Sequence, residues 1–97
     1  MEDVVKRIEE SKGLLAVDCM SSSCGSCRMW AQIIGKVQML VPVLALNMDV
    51  YPELAEQYNI SSLPTTILFK DGVEVDRIQG LTTEKVLLDK INQYKGE

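Results

Sequence analysis

The sequence predicts an α/β fold in which helices cover both faces of a four-stranded mixed sheet, in the order α-β-α-β-α-β-β-α. A continuous apolar run at residues 14–19 suits a buried parallel strand, and a second apolar, strand-like run lies at 43–48. Residues 65–77 combine β-forming residues with a strong turn signal, which indicates an antiparallel hairpin. At 97 residues the chain is long enough for one domain, residues 1–97, and too short for two.

Helical spacing marks the segments on either side of the first strand. One face of the first helix carries three apolar residues: Val4, Val5 and Ile8. Gly13 suits the left-handed conformation that ends a helix. Apolar residues then recur at helical spacing from Cys24 to a point just before Pro42. Because this long helix joins the first two strands, we expect them to be parallel, through a right-handed crossover.

The second half of the chain predicts a short helix, the hairpin and a final helix. Pro52 suits the first position of the short helix. The Asp-Gly pair at 71–72 separates the β-rich residues 65–69 from the return strand. Alternation along the return strand predicts one face with Val73, Val75 and Arg77. Either Thr82 or Thr83 suits the cap of the last helix. The buried stripe of that helix is expected to contain Val86, Leu87, Leu88, Ile91 and Tyr94.

Composition and charge exclude several classes of function. The net charge is −4, which disfavours nucleic acid and anionic membranes as partners. The chain has no histidine, so Cys–His and Ser–His catalysis and histidine-ligated metals are excluded. No apolar run approaches the roughly 18 residues of a membrane span. The acidic, amphipathic N-terminal segment does not resemble a secretory signal, and we therefore expect a cytoplasmic protein.

Two of the three cysteines lie close together, in the stretch Cys-Gly-Ser-Cys directly after the first strand. At the start of a helix, Cys24 meets unpaired backbone amides that favour its thiolate, the nucleophile of disulfide exchange. Cys27 follows one turn later, close enough to form a disulfide with Cys24 and to attack a mixed disulfide on it. A zinc site needs about four ligands, and only Cys19 adds a sulfur. Two small buried residues, with no chemistry, are the remaining alternative. Cys19 itself is expected to be a small buried hydrophobic residue.

A carboxylate and a proline add two further candidates. Asp18 lies near the end of the apolar first strand, six residues before Cys24. It is either a turn residue at the strand end or a partly buried carboxylate with a raised pKa. In the second case it is suited to take the proton of Cys27 as that thiol attacks. Pro64 precedes the third strand, where the sequence by itself favours an ordinary trans peptide bond.

Nearly the whole chain, from residue 4 to the C-terminus, resembles the thioredoxin family. The family's separated motifs occur here in the family's order: LLAVD, CGSC, LNMDVYPELAEQYNISSLPTTILFKDG and IQGLTTEKV. The resemblance implies that Cys24 is the attacking cysteine and Cys27 the resolving one. It also implies that Asp18 is the buried proton acceptor and that Pro64 is a cis-proline packed beside the disulfide.

The resemblance also implies a substrate-binding surface and a strand order. Leu63 would hydrogen-bond through its backbone to an extended substrate segment, and Gly80 would leave room for that segment. Gly25 and Ser26, between the cysteines, are assigned to the same surface. The expected strand order is 2-1-3-4, which leaves the strand at 43–48 at the edge of the sheet.

Several residues depart from the family's pattern. Met20 and Ser23 stand where the family usually has tryptophans, and Ser26 and Gln32 where it usually has prolines. Ala45 corresponds to the lysine that often accompanies the buried aspartate. The usual N-terminal strand is also expected to be missing. The cysteine chemistry does not depend on these positions, whereas the partners and the redox potential do.

The expected function is that of a cytoplasmic thiol–disulfide oxidoreductase that reduces protein disulfides and maintains redox homeostasis. We expect a thioredoxin-reductase-like electron donor and no cofactor or metal beyond the redox-active disulfide. Nucleic acid and membrane partners are not expected, and the protein is expected to be a monomer or a weak homodimer. Two alternatives use the same cysteines: a redox-sensing interaction module, and a less reducing disulfide oxidase or isomerase.

Overall fold

The computed structural model describes residues 2–96, and within them helices and strands follow one another in the predicted order. They are α1 Glu2–Glu9, β1 Leu14–Met20, α2 Gly25–Val37, β2 Val43–Asn47, α3 Pro52–Gln57, β3 Thr65–Lys70, β4 Val73–Gln79 and α4 Glu84–Lys95. The predicted fold class is therefore confirmed. Within this described range, no helix is both long and apolar enough to cross a membrane.

The sheet has the strand order β2-β1-β3-β4, which confirms the expected 2-1-3-4. β1 is parallel to β2 and antiparallel to β3, and β3 and β4 form the hairpin. β1 is thus central, and β2 is an edge strand. The register places Ala45 and Thr66 on either side of Asp18.

Two hydrophobic clusters cover the two faces of the sheet. Alternate residues of β1 point to opposite faces, so Ala16 belongs to one cluster and Val17 to the other. The first cluster joins β1 and β3 to α2 and α4, through residues that include Trp30, Ile34, Leu87 and Ile91. The second joins the sheet to α1 and α3, through Ile8 and Leu54. Trp30, Ile8 and Leu54 are fully buried, so helices on both faces are held by tertiary packing.

Two hydrogen bonds connect the turn between α1 and β1 to the turn of the β3–β4 hairpin. The Gly13 backbone N–H donates to Asp71 Oδ1 over 2.7 Å, and the Asp71 N–H donates to the Gly13 carbonyl over 2.9 Å. Asp71 and Gly72 both have positive φ, as the Asp-Gly turn predicts. A Cβ on Gly72 would lie 2.2 Å from the Glu9 carbonyl oxygen, so only glycine fits at this position.

The last helix buries a narrower stripe than predicted. Leu87 and Ile91 are fully buried and Leu88 and Tyr94 are half-buried, but the prediction for Val86 is wrong, since it is 37 % exposed. Val86 lies about 100° around the helix from Leu87, on the side away from Leu88, because successive helical residues are rotated by that angle. The cap is Thr83, whose hydroxyl accepts from the Val86 N–H over 3.2 Å.

A β-bulge changes the alternation predicted for β4. Leu68 pairs with Asp76 and Phe69 with Glu74, so Val75 is left without a partner in the register. Val75 packs against the α2–α4 cluster, whereas the Arg77 guanidinium reaches the Asn59 carbonyl near α3. The expectation that Val75 and Arg77 share one face is therefore wrong.

Candidate active site

The two cysteines lie where β1 passes into α2. Cys24 is the N-cap residue of α2, and Cys27 lies in its first turn. The two form a disulfide with a Cα–Cα distance of 5.2 Å. Cys24 is half-buried, whereas Cys27 is only 5 % exposed. A disulfide approaching from solvent therefore meets the sulfur of Cys24 first.

The helix terminus presents hydrogen-bond donors to the Cys24 sulfur. The Cys27 backbone N–H donates to Cys24 Sγ over 3.1 Å, and the Ser26 hydroxyl lies 3.4 Å from the same sulfur. An N-cap position and its free amides favour a negative charge on the capping atom. The hydroxyl of Ser26, rather than its amide, is thus the contact that this residue adds in the structure.

The loop before Cys24 is anchored by polar residues at the carboxyl end of β2 and just after it. The Asn47 side-chain amide donates to the Ser22 hydroxyl over 3.1 Å, and the Ser22 backbone N–H donates to the Asp49 carboxylate over 3.2 Å. Sequence reasoning missed Asn47 and Asp49 as supports of the site. The available signal was their place at the end of β2, because the carboxyl ends of parallel neighbours β1 and β2 lie at one edge of the sheet.

Asp18 is a buried carboxylate inside β1 rather than a turn residue. It is 4 % exposed, and Oδ1 has no hydrogen-bond partner among the described residues. Burial raises its pKa to about 6, as the second interpretation of the sequence predicts. Its neighbour on β2 is Ala45, which is exposed and carries no charge to compensate the carboxylate.

A cavity of about 490 Å³ opens between α2 and the β1–β2 edge of the sheet, and we call it the back cavity. Asp18 and Cys27 both form part of its lining, and so does Ala45. The exposed side chains of Arg28 and Gln38 also line it, which places its opening on the surface beside α2. The buried carboxylate and the buried cysteine therefore share one space that reaches solvent.

The peptide bond between Leu63 and Pro64 is cis, which confirms the expectation from the resemblance. Pro64 directly precedes β3, and its carbonyl accepts from the Gly80 N–H over 2.7 Å. Gly80 has a φ of +80°, and a Cβ built there would have no neighbour within 4 Å. The register of β1, β3 and β4 places Pro64 and Gly80 at the end of the sheet where β1 leads to Cys24.

One buried contact fixes α2 on the sheet beneath the cysteines. The Trp30 indole N–H donates to the Thr66 hydroxyl over 2.7 Å, and both residues are fully buried. Thr66 is also the β3 neighbour of Asp18, and sequence reasoning did not identify it. A threonine in a β-rich stretch carries no signal of this role, since its partner is 36 residues away.

Cys19 lies on the opposite face of β1, in the α1–α3 cluster, and is 1 % exposed. Burial, with a smaller effect of the Asp18 charge, raises the pKa of its thiol to about 12. The expectation of a small buried hydrophobic residue is confirmed. The part of the chain that the structure describes contains no group of three or more Cys, Asp or Glu side chains suited to hold a metal.

In the reduced protein, we expect a brief iodoacetamide pulse at neutral pH to modify Cys24 and to leave the other two cysteines unmodified. Alkylation needs an accessible thiolate, and Cys27 and Cys19 are both buried. Mass spectrometry of tryptic peptides measures the modification at each cysteine. Labelling of Cys19 at the rate of Cys24 would contradict the expectation, and the urea-unfolded protein serves as the control in which all three react.

Comparisons with known proteins agree with this geometry. The family model described as Thioredoxin matches residues 2–93. The thioredoxin of Chlamydia caviae is 41 % identical over 85 residues, covering 84 % of this chain and 83 % of that protein. A Rickettsia felis thioredoxin is 37 % identical over 92 residues, covering 91 % and 88 %. Among solved structures, a mutant thioredoxin from Halobacterium salinarum NRC-1 superimposes with a TM-score of 0.87 at 26 % identity, covering 98 % of this chain and 85 % of that one.

Proposed function

Since the chain belongs to the thioredoxin family and is a protein thiol–disulfide oxidoreductase, we propose that it works as a reductant of protein disulfides, with Cys24 and Cys27 as its reacting groups. The observation that carries the proposal is the asymmetry of the pair. Cys24 is half-buried at the N-terminus of α2, whereas Cys27 is buried and lines the same cavity as Asp18.

The proposed cycle has two exchange steps. The Cys24 thiolate attacks one sulfur of the substrate disulfide, which forms a mixed disulfide and releases the other substrate sulfur as a thiolate. Cys27 then loses its proton and attacks Cys24 Sγ, which releases the second substrate thiolate and forms the Cys24–Cys27 disulfide. Two electrons pass to the substrate, and an external reductant returns two electrons to the protein.

Asp18 is the proposed acceptor of the Cys27 proton. A pKa of about 6 leaves the carboxylate mostly ionised at neutral pH, so it is available as a base. The same shift brings it closer to the thiol's ordinary pKa of about 8.5, which reduces the free-energy cost of the transfer. The back cavity supports this role because it gives both groups a common route for protons to solvent.

The proposed substrate surface surrounds the half-buried sulfur. The backbone of Leu63 would pair with an extended segment of the substrate, while Gly80 leaves open space where any other residue would carry a Cβ. Gly25 and Ser26 lie between the cysteines on the first turn of α2 and complete this surface.

A cytoplasmic setting, a role in cell redox homeostasis and re-reduction by a thioredoxin-reductase-like donor complete the proposal. The curated relatives named thioredoxin support the class of partner. No cofactor beyond the redox-active disulfide enters the proposed cycle.

Reduction of insulin disulfides with dithiothreitol as electron source tests the proposed function. We expect catalytic amounts of the protein to accelerate precipitation of the insulin B chain, and the Cys24→Ser variant to match dithiothreitol alone. A redox-sensing module without turnover would not accelerate the reaction. An oxidase or isomerase would be distinguished from a reductase by a less reducing potential, measured by equilibration with glutathione.

The Ser26 hydroxyl is expected to make the protein less reducing than it would be with a residue that lacks it. A hydrogen bond from this hydroxyl to the Cys24 thiolate stabilises the reduced form, by roughly 1.5–3 kcal/mol for a charged acceptor. At about 30 mV per 1.4 kcal/mol, Ser26→Ala should lower the potential by some tens of millivolts. Equilibration with glutathione measures it.

A comparison of Ser26→Pro with Ser26→Ala separates the effect of the Ser26 hydroxyl on the potential from that of the Ser26 amide. Proline removes both groups, but the amide that contacts Cys24 Sγ belongs to Cys27 and is retained. We therefore expect Ser26→Pro and Ser26→Ala to be more reducing by similar amounts. A potential equal to or more oxidising than that of the parent protein in both variants would reject the contribution of the hydroxyl.

The exposed edge of β2 is expected to support weak self-association. Among the described residues β2 pairs with β1 alone, so its other edge has no strand to bond with, and Pro42 blocks just the beginning of that edge. Sedimentation velocity at rising concentration measures the association, with Leu44→Lys as a variant that adds charge to this strand. A strict monomer at millimolar concentration would contradict the expectation.

A further inference from the structure

The back cavity holds a buried carboxylate that forms no ion pair with any residue in the described range 2–96. Asp18 is more than nine-tenths buried, borders the cavity, and has an unpartnered Oδ1 within the described residues. The position beside it on β2 belongs to Ala45, whose side chain ends at one methyl group. Because Ala45 lines the cavity, the volume that a longer side chain would fill at this position is part of the cavity.

The groups around Asp18 do not compensate its charge. From β2 the neighbour is Ala45, and from β3 it is Thr66, whose hydroxyl already accepts the Trp30 N–H. From α2 the cavity receives Cys27 and the exposed Arg28. Cys19, next to Asp18 in the chain, lies on the opposite face of the sheet. Burial is the cause of the raised pKa of Asp18, and its Oδ1 has no hydrogen-bond partner among the described residues.

The remaining lining selects the kind of molecule that fits. Ile34 and Val43 contribute apolar surface to the same lining, together with Ala31 and Ala45. A volume of about 490 Å³ lies within the range of small-molecule sites. An ion that matches these groups has one hydrogen-bonding cation for the carboxylate and an aliphatic body for these apolar side chains.

We propose that the back cavity binds a small primary alkylammonium ion, with its ammonium group donating to Asp18 and its aliphatic chain packed on Ile34 and Val43. Rotation of the carboxyl about χ2 lets either oxygen accept, since this torsion has a broad minimum. Arg28 lies in the same lining, so a second positive charge on the ligand is unfavourable there. Monoamines are thus preferred to diamines.

Binding of such an ion has a consequence that rests on the proposed function. An ammonium group held on Asp18 stabilises the ionised carboxylate and lowers its proton affinity. The carboxylate then accepts the Cys27 proton less readily, and the second exchange step slows. The site thereby links the concentration of small amines to the rate of disulfide exchange.

Carboxyl ¹³C NMR of the oxidised protein tests the binding without any turnover. The protein is titrated separately with n-butylammonium chloride and with n-butanol, and sodium chloride keeps the ionic strength constant. Near pH 8 we expect the ammonium ion to bind at least roughly tenfold more tightly than the alcohol. Near pH 4.5, where Asp18 is protonated, that preference should disappear. At ten times the dissociation constant, the pKa of Asp18 should fall by about 1.

Two variants distinguish the contribution of the Asp18 carboxylate to amine binding from that of the cavity volume. Asp18→Asn should retain the cavity and lose the preference for ammonium over alcohol. Ala45→Leu should fill the cavity and weaken both ligands, while Asp18 still titrates above an ordinary aspartate. Equal binding of alcohol and ammonium to the parent protein, or an unchanged pKa of Asp18, would overturn the proposal. Reduction of insulin without binding of the amine would refute this inference and leave the proposed function intact. Binding of the amine without turnover of insulin would refute only the proposed function.

Discussion

The Cys27→Ser variant is expected to form a stable mixed disulfide with substrate and to lose catalytic turnover. Cys24 keeps its half-buried N-cap position, so the first exchange step remains possible. The second step needs a thiol one helical turn away, and the nearby sulfur in the described structure belongs to Cys27. Well-oriented intramolecular groups reach effective concentrations of roughly 10⁵ M or more, which free dithiothreitol does not approach. Turnover of insulin should therefore fall to the uncatalysed rate.

Mass spectrometry under non-reducing conditions measures the trapped complex. The substrate peptide should be attached to Cys24 in Cys27→Ser, and no complex should form with Cys24→Ser. Cys19→Ser is the matched control, because its thiol is buried on the other face of the sheet, and it should behave like the parent protein. Insulin reduction by Cys27→Ser at the parent rate would exclude the resolving role of Cys27.

The Asp18→Asn variant is expected to be more stable than the parent protein at neutral and alkaline pH. Burial raises the folded-state pKa of Asp18 from 3.8 to about 6, so the ionised carboxylate destabilises the folded state relative to the unfolded chain. A difference of about two pKa units corresponds to roughly 3 kcal/mol, an upper bound for the gain because the asparagine amide is also buried. The cost is fully present above pH 6, falls as the pH drops from 6 to 3.8, and disappears well below pH 3.8, where both states are protonated.

Urea unfolding of the oxidised proteins at about pH 8 and at about pH 4 measures the free energy of unfolding in each state. The stabilisation should appear at the higher pH and be small at the lower one. Asp89→Asn is the matched control: Asp89 is exposed and pairs with the exposed Lys85, so its replacement should leave the free energy of unfolding nearly unchanged at both pH values.

The same variant should slow the second exchange step. Asparagine has no basic oxygen to take the Cys27 proton, so the mixed disulfide on Cys24 should persist longer in Asp18→Asn than in the parent protein. Rapid acid quenching and mass spectrometry give the fraction of mixed disulfide with time. An Asp18→Asn protein that is less stable at pH 8 and equally fast would count against a buried proton acceptor.

The elements of this protein were predictable wherever neighbouring residues determine them. Pro52 begins α3 because a proline at the first helical position loses no hydrogen bond. The Asp-Gly pair at 71–72 adopts positive φ because these residues tolerate it, and it forms the hairpin turn as predicted. Cys24 caps α2 because the apolar strand before it ends and helical spacing begins directly after it. Each of these depends on a few residues close in sequence.

The resemblance to the thioredoxin family predicted two features that local sequence patterns did not. Local preference favours a trans bond before Pro64, whereas the family position implies the cis bond that is observed. The same resemblance predicted β2 as the edge strand. Strand order depends on contacts between residues far apart in the chain, which the periodicity of one segment does not contain.

Other features were decided by the tertiary structure alone. The bulge at Val75 moves β4 out of strict alternation, and Val86 is exposed because the inward face of α4 is narrow. The back cavity exists because the register of β2 puts Ala45, the smallest chiral residue, beside the buried Asp18. The sequence by itself determined which residues carry the chemistry and where the helices and strands begin. Which side chain stands opposite another across the sheet follows from long-range pairing, and that pairing decided the space and the solvent access around the carboxylate.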